Sequence, residues 1–168
     1  NVWLAAVVSM FLHGSWLHLG GNMLFLWVFG NNIEDRLGRI RYLAFYLVGG
    51  MAATAAYVLA QPHSAVPLVG ASGAIAAVMG AYLVWFPNVR IHALIFVFIR
   101  DIGAKWLLLF WFVEQFFTDS SSGVAWMAHV GGFVFGLAAA VLRRSRGSRS
   151  RALPGQHWPT SALGAPPR

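Results

Sequence analysis

The chain has 168 residues, of which 58% are hydrophobic and 10% are charged, and its mean hydropathy is +0.64. This composition excludes a soluble domain of the same length and predicts an integral membrane protein. The net charge of +7 does not indicate nucleic-acid binding, because half of the 12 lysines and arginines lie in residues 143–168, beyond the last apolar segment. Since the chain has no cysteine, disulfides, thiolate nucleophiles and cysteine metal sites are excluded.

Hydropathy predicts five transmembrane spans after an N-terminal apolar run that is too short to cross a bilayer. That first run, residues 2–12, is predicted to be interfacial or re-entrant. No initiator methionine or basic segment precedes it, so the chain is expected to start inside a longer protein. The predicted spans are residues 16–33, 42–60, 72–86, 102–117 and 125–142. A further apolar run, residues 91–99, either lies at the interface or extends the fourth span.

The positions of the basic residues set the predicted orientation. With five spans, every lysine and arginine falls on one side, whereas segments 1–17, 61–71 and 118–124 on the other side contain none. The positive-inside rule makes the basic side cytoplasmic, so the first, third and fifth spans begin at the outer side. We therefore expect a membrane domain of residues 1–142 and a basic, disordered cytoplasmic tail of residues 143–168.

The third span is short and begins with a serine. A helix of residues 72–86, ending before Pro87, would be about 22 Å long at ~1.5 Å per residue, against a bilayer core of roughly 30 Å. Ser72 is therefore expected below the membrane surface, where the unpaired N–H groups and the dipole of the helix start favour developing negative charge. Such a site suits a nucleophile, although a serine among small residues is by itself more typical of helix packing.

Polar residues also mark the starts of the two other spans that begin on the outer side. His18 and Asn22 lie four residues apart and share a face of the first span, and His129 lies one turn into the fifth. Polar groups are costly in lipid, so they are expected to face the interior with Ser72 and to mark function. The alternatives are a packing histidine at His129 and an interhelical hydrogen bond from Asn22.

Two stripes of small residues predict contact between the third and fifth spans. They are Ser72, Ala76 and Gly80 on the third and His129, Gly132 and Gly136 on the fifth. In contact with Ser72, a neutral His129 can take the hydroxyl proton and return it to a leaving amine. His18 and Asn22, with the Ser72 backbone N–H, are suited to donate hydrogen bonds to an oxyanion. No carboxylate is placed as a third member, so the sequence predicts a dyad.

Four segments carry patterns that are specific in combination. They are His13-x4-His18-x3-Asn22, Glu34-Asp35-Arg36, Gly70-Ala71-Ser72-Gly73 and Ala128-His129-x2-Gly132-x3-Gly136. Together they resemble the signatures of the rhomboid family of intramembrane serine proteases. The resemblance implies an all-α, polytopic, rhomboid-like bundle, with five transmembrane helices in this chain and the family's first transmembrane helix missing ahead of Asn1.

The resemblance also implies roles for the motif residues. Ser72 would be the nucleophile, His129 the general base, and His18 and Asn22 the oxyanion side. The structural residues of the motifs would be His13 in a loop, Gly70, Gly73, Gly132 and Gly136, and Glu34 with Arg36 as an ion pair. The alternative for Glu34 and Arg36 is a solvated pair that contributes little to stability. Many members carry an aromatic residue at the position of Ala76, packed on the catalytic histidine, so here the imidazole must be oriented in another way.

The segment 102–117 is expected to lie beside a lateral gate for a substrate helix, again by resemblance. It carries Trp106, Trp111 and Phe112. From the residues alone, these aromatic side chains face lipid or belong to the core.

The function predicted from the sequence is an intramembrane serine endopeptidase that cleaves transmembrane segments near the outer membrane face. Its expected partners are a transmembrane protein substrate and the lipid bilayer, without nucleic acid, cofactor or metal, and the sequence gives no oligomeric state. The expected location is a bacterial inner membrane with the C-terminal tail cytoplasmic. One alternative is a non-catalytic rhomboid-like module that binds client helices. Another is a metal site or transporter built on the outer histidines, which lack carboxylate companions.

Overall fold

The computed structural model describes residues 2–64, 68–95, 98–117 and 125–147. In these ranges the chain forms six α-helices, one β-hairpin and one 3-10 turn. The elements are α1 (Val2–Ser9), α2 (Trp16–Leu37), α3 (Arg39–Ala60), α4 (Ser72–Trp85), β1 (Arg90–Ile95), β2 (Phe98–Gly103), α5 (Ala104–Glu114), the 3-10 turn Gln115–Phe117 and α6 (Trp126–Gly147). Residues 148–168 of the tail that is predicted to be disordered lie outside the described residues.

Helix α4 is the centre of the bundle and packs against α2, α3, α5 and α6. Every residue from Ala74 to Tyr82 is buried, so this helix has no exposed side along most of its length. Its 14 residues correspond to about 21 Å at ~1.5 Å per residue, in agreement with the short third span predicted from the sequence. Small side chains allow its neighbours to approach closely: a Cβ on Gly136 of α6 would lie 2.6 Å from the Ala77 carbonyl carbon.

Among the described residues, two helices are long and apolar enough to cross a membrane: Arg39–Ala60 and Trp126–Arg144. Ser72–Trp85 is apolar but shorter. The total of five transmembrane spans therefore remains a prediction. Helix α6 continues to Gly147, past the predicted end of the membrane domain at residue 142. The first residues assigned to the tail are thus helical, and Arg144 donates from Nη1 to the Val84 carbonyl at 3.4 Å.

The segment between α4 and α5 is a β-hairpin, which corrects the sequence prediction. The apolar run 91–99 was expected to lie at the interface or to lengthen the fourth span. Lengthening of the span is wrong, because residues 91–95 and 98–99 belong to two antiparallel strands with His92 opposite Asp101, whereas a position at the interface remains a prediction. These two side chains contact each other across the strands, through Nδ1 of His92 and Oδ1 of Asp101. The run is rich in isoleucine and phenylalanine, which favour strands, and α5 consequently begins at Ala104 rather than at residue 102.

Glu34 and Arg36 do not form the predicted ion pair. Glu34 instead lies 3.7 Å from Nε of Arg39, at the start of α3, and the Arg36 guanidinium lies over the Trp85 ring at 4.8 Å from its centroid. Residues two apart on a helix point to different sides, so Glu34 and Arg36 of α2 do not face each other. The Trp85 indole in turn donates to the Ala140 carbonyl at 3.2 Å, which joins the ends of α2, α4 and α6.

Candidate active site

Ser72 and His129 are hydrogen-bonded to each other. Ser72 is the first residue of α4, and its Oγ lies 2.8 Å from Nε2 of His129, one turn into α6. The contact predicted from the two small-residue stripes is therefore present, whereas the catalytic role of the pair remains a prediction. The arrangement provides a hydroxyl at the start of a helix and a basic nitrogen within proton-transfer distance.

Gly132 allows this contact because it lets the backbones of α4 and α6 approach each other, and Gly73 in the same way lets α4 approach α3. A Cβ on Gly132 would overlap the Gly73 carbonyl oxygen and would lie 3.1 Å from the Gly73 carbonyl carbon. A Cβ on Gly73 would lie 2.7 Å from the Ala53 Cβ of α3. Larger side chains at either position would force the helices apart, so the close packing depends on the absence of a side chain at both glycines.

Gly70 has a different function in the loop before α4. Its φ is +116°, a backbone conformation that residues with a Cβ rarely adopt, and its N–H donates to the Ser9 carbonyl at 2.9 Å. A Cβ at this position would lie 2.7 Å from Nε2 of His18. The loop that leads to Ser72 therefore passes directly over the histidine at the start of α2.

The predicted oxyanion residues His18 and Asn22 lie beside that loop. Asn22 is buried, and its Nδ2 donates to the His18 carbonyl at 3.0 Å and lies 3.7 Å from the Cβ position of Gly70. Ser15 caps α2 by accepting from the His18 N–H at 3.1 Å. One N–H of the Asn22 amide remains for another acceptor.

His13 lies in the loop between α1 and α2, as the resemblance implies for a structural residue. Its ring meets that of His18 edge to face at 5.2 Å between centroids. Its Nε2 is buried and has no hydrogen-bond partner among the described residues. The contact with His18 is the observed link between His13 and the site.

Gln115 and Trp111 contact the His129 ring, and neither was assigned to the site from the sequence. Gln115 Oε1 lies 2.7 Å from Nδ1 of His129, and the Trp111 indole lies 5.7 Å from the imidazole centroid at an angle of 39°. Both residues are placed to fix the orientation of the imidazole, for which the sequence offered no aromatic side chain at Ala76. An amide in the apolar segment 102–117 was the available signal, because a buried polar group in such a segment needs a partner.

The aromatic residues of α5 differ in their surroundings. Trp106 is exposed, whereas Trp111 and Phe112 pack against the core, and Phe112 stacks on Phe133 of α6 at 4.6 Å between ring centroids. The core interpretation is therefore correct for Trp111 and Phe112. A gate beside this helix remains a prediction.

A cavity of about 340 Å³ opens over the dyad. Polar residues in its lining include Ser9, His18, Thr54, Ser72 and His129. These side chains come from α1, α2, α3, α4 and α6. The polar starts of α2, α4 and α6, which were predicted to lie together, therefore meet around this cavity. Within the described ranges, the histidine and carboxylate side chains form no group of three or more that is suited to a metal ion. The cavity can hold water next to Ser72.

Comparison with known proteins agrees with the motifs. The family model for the Rhomboid domain matches residues 1–146. The chain is 33% identical over 149 residues to Presenilin-associated rhomboid-like protein A, mitochondrial, of Danio rerio, covering 80% of this chain and 36% of that protein. It is 31% identical over 143 residues to Rhomboid protein 1, mitochondrial, of Saccharomyces cerevisiae, covering 80% and 40% of the two chains.

A bacterial relative is named as a protease. Over 139 residues the chain is 31% identical to Rhomboid protease GluP of Bacillus subtilis, with 82% of this chain and 25% of that protein covered. The chain thus spans less than half of the length of each of these relatives. The match to the family model extends over most of the chain and includes all four motif segments. This chain belongs to the rhomboid family, a family of integral membrane proteins.

Proposed function

We propose that this chain is the membrane-embedded part of a serine endopeptidase that cleaves transmembrane segments of other membrane proteins near the outer membrane face. The observation that carries the proposal is the hydrogen bond of 2.8 Å between Ser72 Oγ and His129 Nε2, beside a cavity large enough for water. Hydrolysis inside a membrane requires both an activated nucleophile and access for water. Relationship to a named rhomboid protease supports the same reaction class.

In the first half of the reaction, Ser72 Oγ attacks the carbonyl carbon of the scissile peptide bond while its proton passes to Nε2 of His129. The imidazolium then gives that proton to the leaving amine, and an acyl-enzyme on Ser72 remains. In the second half, water from the cavity gives a proton to Nε2 and attacks the ester. Return of the proton to Ser72 Oγ releases the new carboxyl end and restores the enzyme.

We assign stabilisation of the negative oxygen to the start of α4 and to the polar end of α2. The first N–H groups of an α-helix have no partner within that helix, so the start of α4 favours negative charge next to Ser72. His18 and Asn22 lie beside Gly70, two residues before Ser72, and can add side-chain donors. Removal of one such donor typically costs a factor of about 10² to 10³ in kcat.

We propose that the end of the bundle with Ser72 faces the outer side, with the arginine-rich end of α6 towards the cytoplasm of a bacterial cell. Arg36, Arg39 and Arg144 lie at the opposite end of the helices from the dyad, as the positive-inside rule requires for a cytoplasmic face. A substrate would then be cut near the outer end of its transmembrane segment.

The test compares the full-length protein, its Ser72→Ala and His129→Ala variants, and a matched control, Ser9→Ala. Ser9 lines the same cavity, but its hydroxyl donates to the Ala6 carbonyl of its own helix at 2.9 Å. In proteoliposomes with a labelled transmembrane substrate, we expect cleavage by the parent and by Ser9→Ala, and none by the two dyad variants. A fluorophosphonate should label Ser72 in the parent but not in His129→Ala.

Two results would contradict the proposal. Cleavage that survives in Ser72→Ala or His129→Ala would exclude the dyad. Binding of the substrate helix without cleavage or fluorophosphonate labelling in the parent would favour a non-catalytic module.

A chelator is expected to leave cleavage unchanged. Loss of cleavage in the presence of a chelator would instead support the metal interpretation.

A further inference from the structure

The second ring nitrogen of His129 has a partner that the proton transfer between Ser72 and His129 does not use. Gln115 begins the 3-10 turn after α5, and its Oε1 lies 2.7 Å from Nδ1 of His129. The glutamine is 6% exposed, so water does not compete for this hydrogen bond. In such surroundings a hydrogen bond holds both groups in one orientation.

The other end of the Gln115 amide determines the direction of the hydrogen bond. Nε2 donates to the Trp111 carbonyl at 3.0 Å, and because a carbonyl only accepts, the nitrogen end of the amide faces Trp111. The oxygen end therefore faces His129. Since that oxygen also only accepts, Nδ1 carries the hydrogen, and the lone pair of the neutral ring lies on Nε2, opposite Ser72 Oγ.

We propose that Gln115 is a positioning residue that selects the Nδ1–H tautomer of His129 and holds Nε2 towards Ser72. The inference rests on the dyad function proposed above. When Ser72 attacks, its proton adds to Nε2, and the resulting imidazolium keeps its Nδ1–H bond to the Gln115 oxygen. Gln115 itself gains and loses no proton, but its carbonyl dipole stabilises the positive ring, as a buried acceptor does in catalytic triads.

The test uses substitutions that separate the acceptor from the volume of the side chain. Gln115→Met has a similar length but no oxygen, and Gln115→Leu is carried in parallel so that the result does not depend on one variant folding. Gln115→Glu keeps an oxygen acceptor. Gln61→Met is the matched control, because Gln61 lies in the C-terminal cap of α3 and no interaction of its side chain enters the proposed reaction.

For the full-length protein in proteoliposomes, we expect Gln115→Met to lower kcat about 10- to 100-fold and to change KM less than about twofold. Gln115→Glu should retain kcat within about threefold of the parent when assayed at about pH 8.5, where the imidazole is neutral. Gln61→Met should match the parent. Nitrogen NMR of histidine-labelled protein, with His129 assigned by its loss in His129→Gln, should show the Nδ1–H tautomer in the parent and a mixture in Gln115→Met.

The proposal is overturned if folded Gln115→Met or Gln115→Leu keeps the parent kcat, or if His129 keeps only the Nδ1–H tautomer in them. It is also overturned if Gln115→Glu loses as much activity as Gln115→Met, because the acceptor would then not be the cause. Ser72→Ala separates the two hypotheses. Cleavage by Ser72→Ala refutes the proposed function, whereas its absence, together with normal turnover by Gln115→Met, refutes only the role of Gln115.

Discussion

Substitution of Gly132 by alanine tests whether the close approach of α4 and α6 is what brings the dyad together. Gly132 lies three residues after His129, on the face of α6 that meets the start of α4. A Cβ at this position would overlap the Gly73 carbonyl oxygen and would lie 3.1 Å from the Gly73 carbonyl carbon and 3.3 Å from the Ala76 Cβ. Since backbone atoms of α4 cannot rotate away, the helices must separate locally by about 1 Å to restore ordinary contacts.

A shift of this size is enough to break the hydrogen bond between Ser72 and His129. The bond measures 2.8 Å between heavy atoms, and an increase of about 1 Å would take it beyond the limit of about 3.5 Å for a useful hydrogen bond. Because a positioned general base contributes about 10² to 10⁴ in rate, we expect Gly132→Ala to lower kcat at least about 100-fold. The overpacking should also lower the free energy of unfolding by about 1 to 3 kcal/mol.

The assays are cleavage of a labelled transmembrane substrate, fluorophosphonate labelling and denaturant titration of the purified protein. Gly20→Ala is the matched control, since a Cβ on this helical residue of α2 meets no atom within 4 Å among those described. It should leave stability unchanged or raise it by up to about 1 kcal/mol. The reasoning is refuted if Gly132→Ala folds, takes up the fluorophosphonate at the parent rate and cleaves within about threefold of the parent.

Three further substitutions probe separate parts of the chain. Asn22→Ala should lower kcat about 10²- to 10³-fold in the cleavage assay if the Asn22 amide binds the oxyanion. An unchanged kcat would mean that Asn22 has only a structural role, through its hydrogen bond to the His18 carbonyl. Tyr82→Phe removes the hydroxyl that accepts from Asn32 Nδ2 at 2.9 Å, so denaturant titration should show a loss of about 1 kcal/mol, and no loss would mean that water replaces the hydroxyl. Glu34→Gln should change stability by less than about 0.5 kcal/mol, because its partner Arg39 is 92% exposed, and a larger effect would show that this pair is shielded from solvent.

Features with their own local signals were predicted from the sequence. The small-residue run bounded by Ser72 and Pro87 predicted a helix of residues 72–86, and the structure has Ser72–Trp85. The two small-residue stripes predicted the contact of Ser72 with His129, because small side chains are what allow two helix backbones to approach. The family assignment from the combined motifs is confirmed.

Features that depend on distant partners were missed. A lone amide such as Gln115 has no periodicity, and its bond to His129 appears only once α5 and α6 are packed. The hairpin was missed because a continuous apolar run fits a buried helix as well as a strand by pattern alone. The partner of Glu34 was misassigned because its pairing with Arg36 was taken from the family resemblance, whereas residues two apart on a helix do not face each other.

The burial of α4 on all sides restricts where this protein can change. From Ala74 to Tyr82 every residue is buried, so an added methyl group would overpack the bundle, and variation along the helix that starts at Ser72 is sterically penalised. Substitutions that preserve the bundle are therefore expected at its periphery. Trp106 and Phe110 of α5, which are largely exposed, are examples of positions at which side chains can be exchanged without disturbing the packing around Ser72.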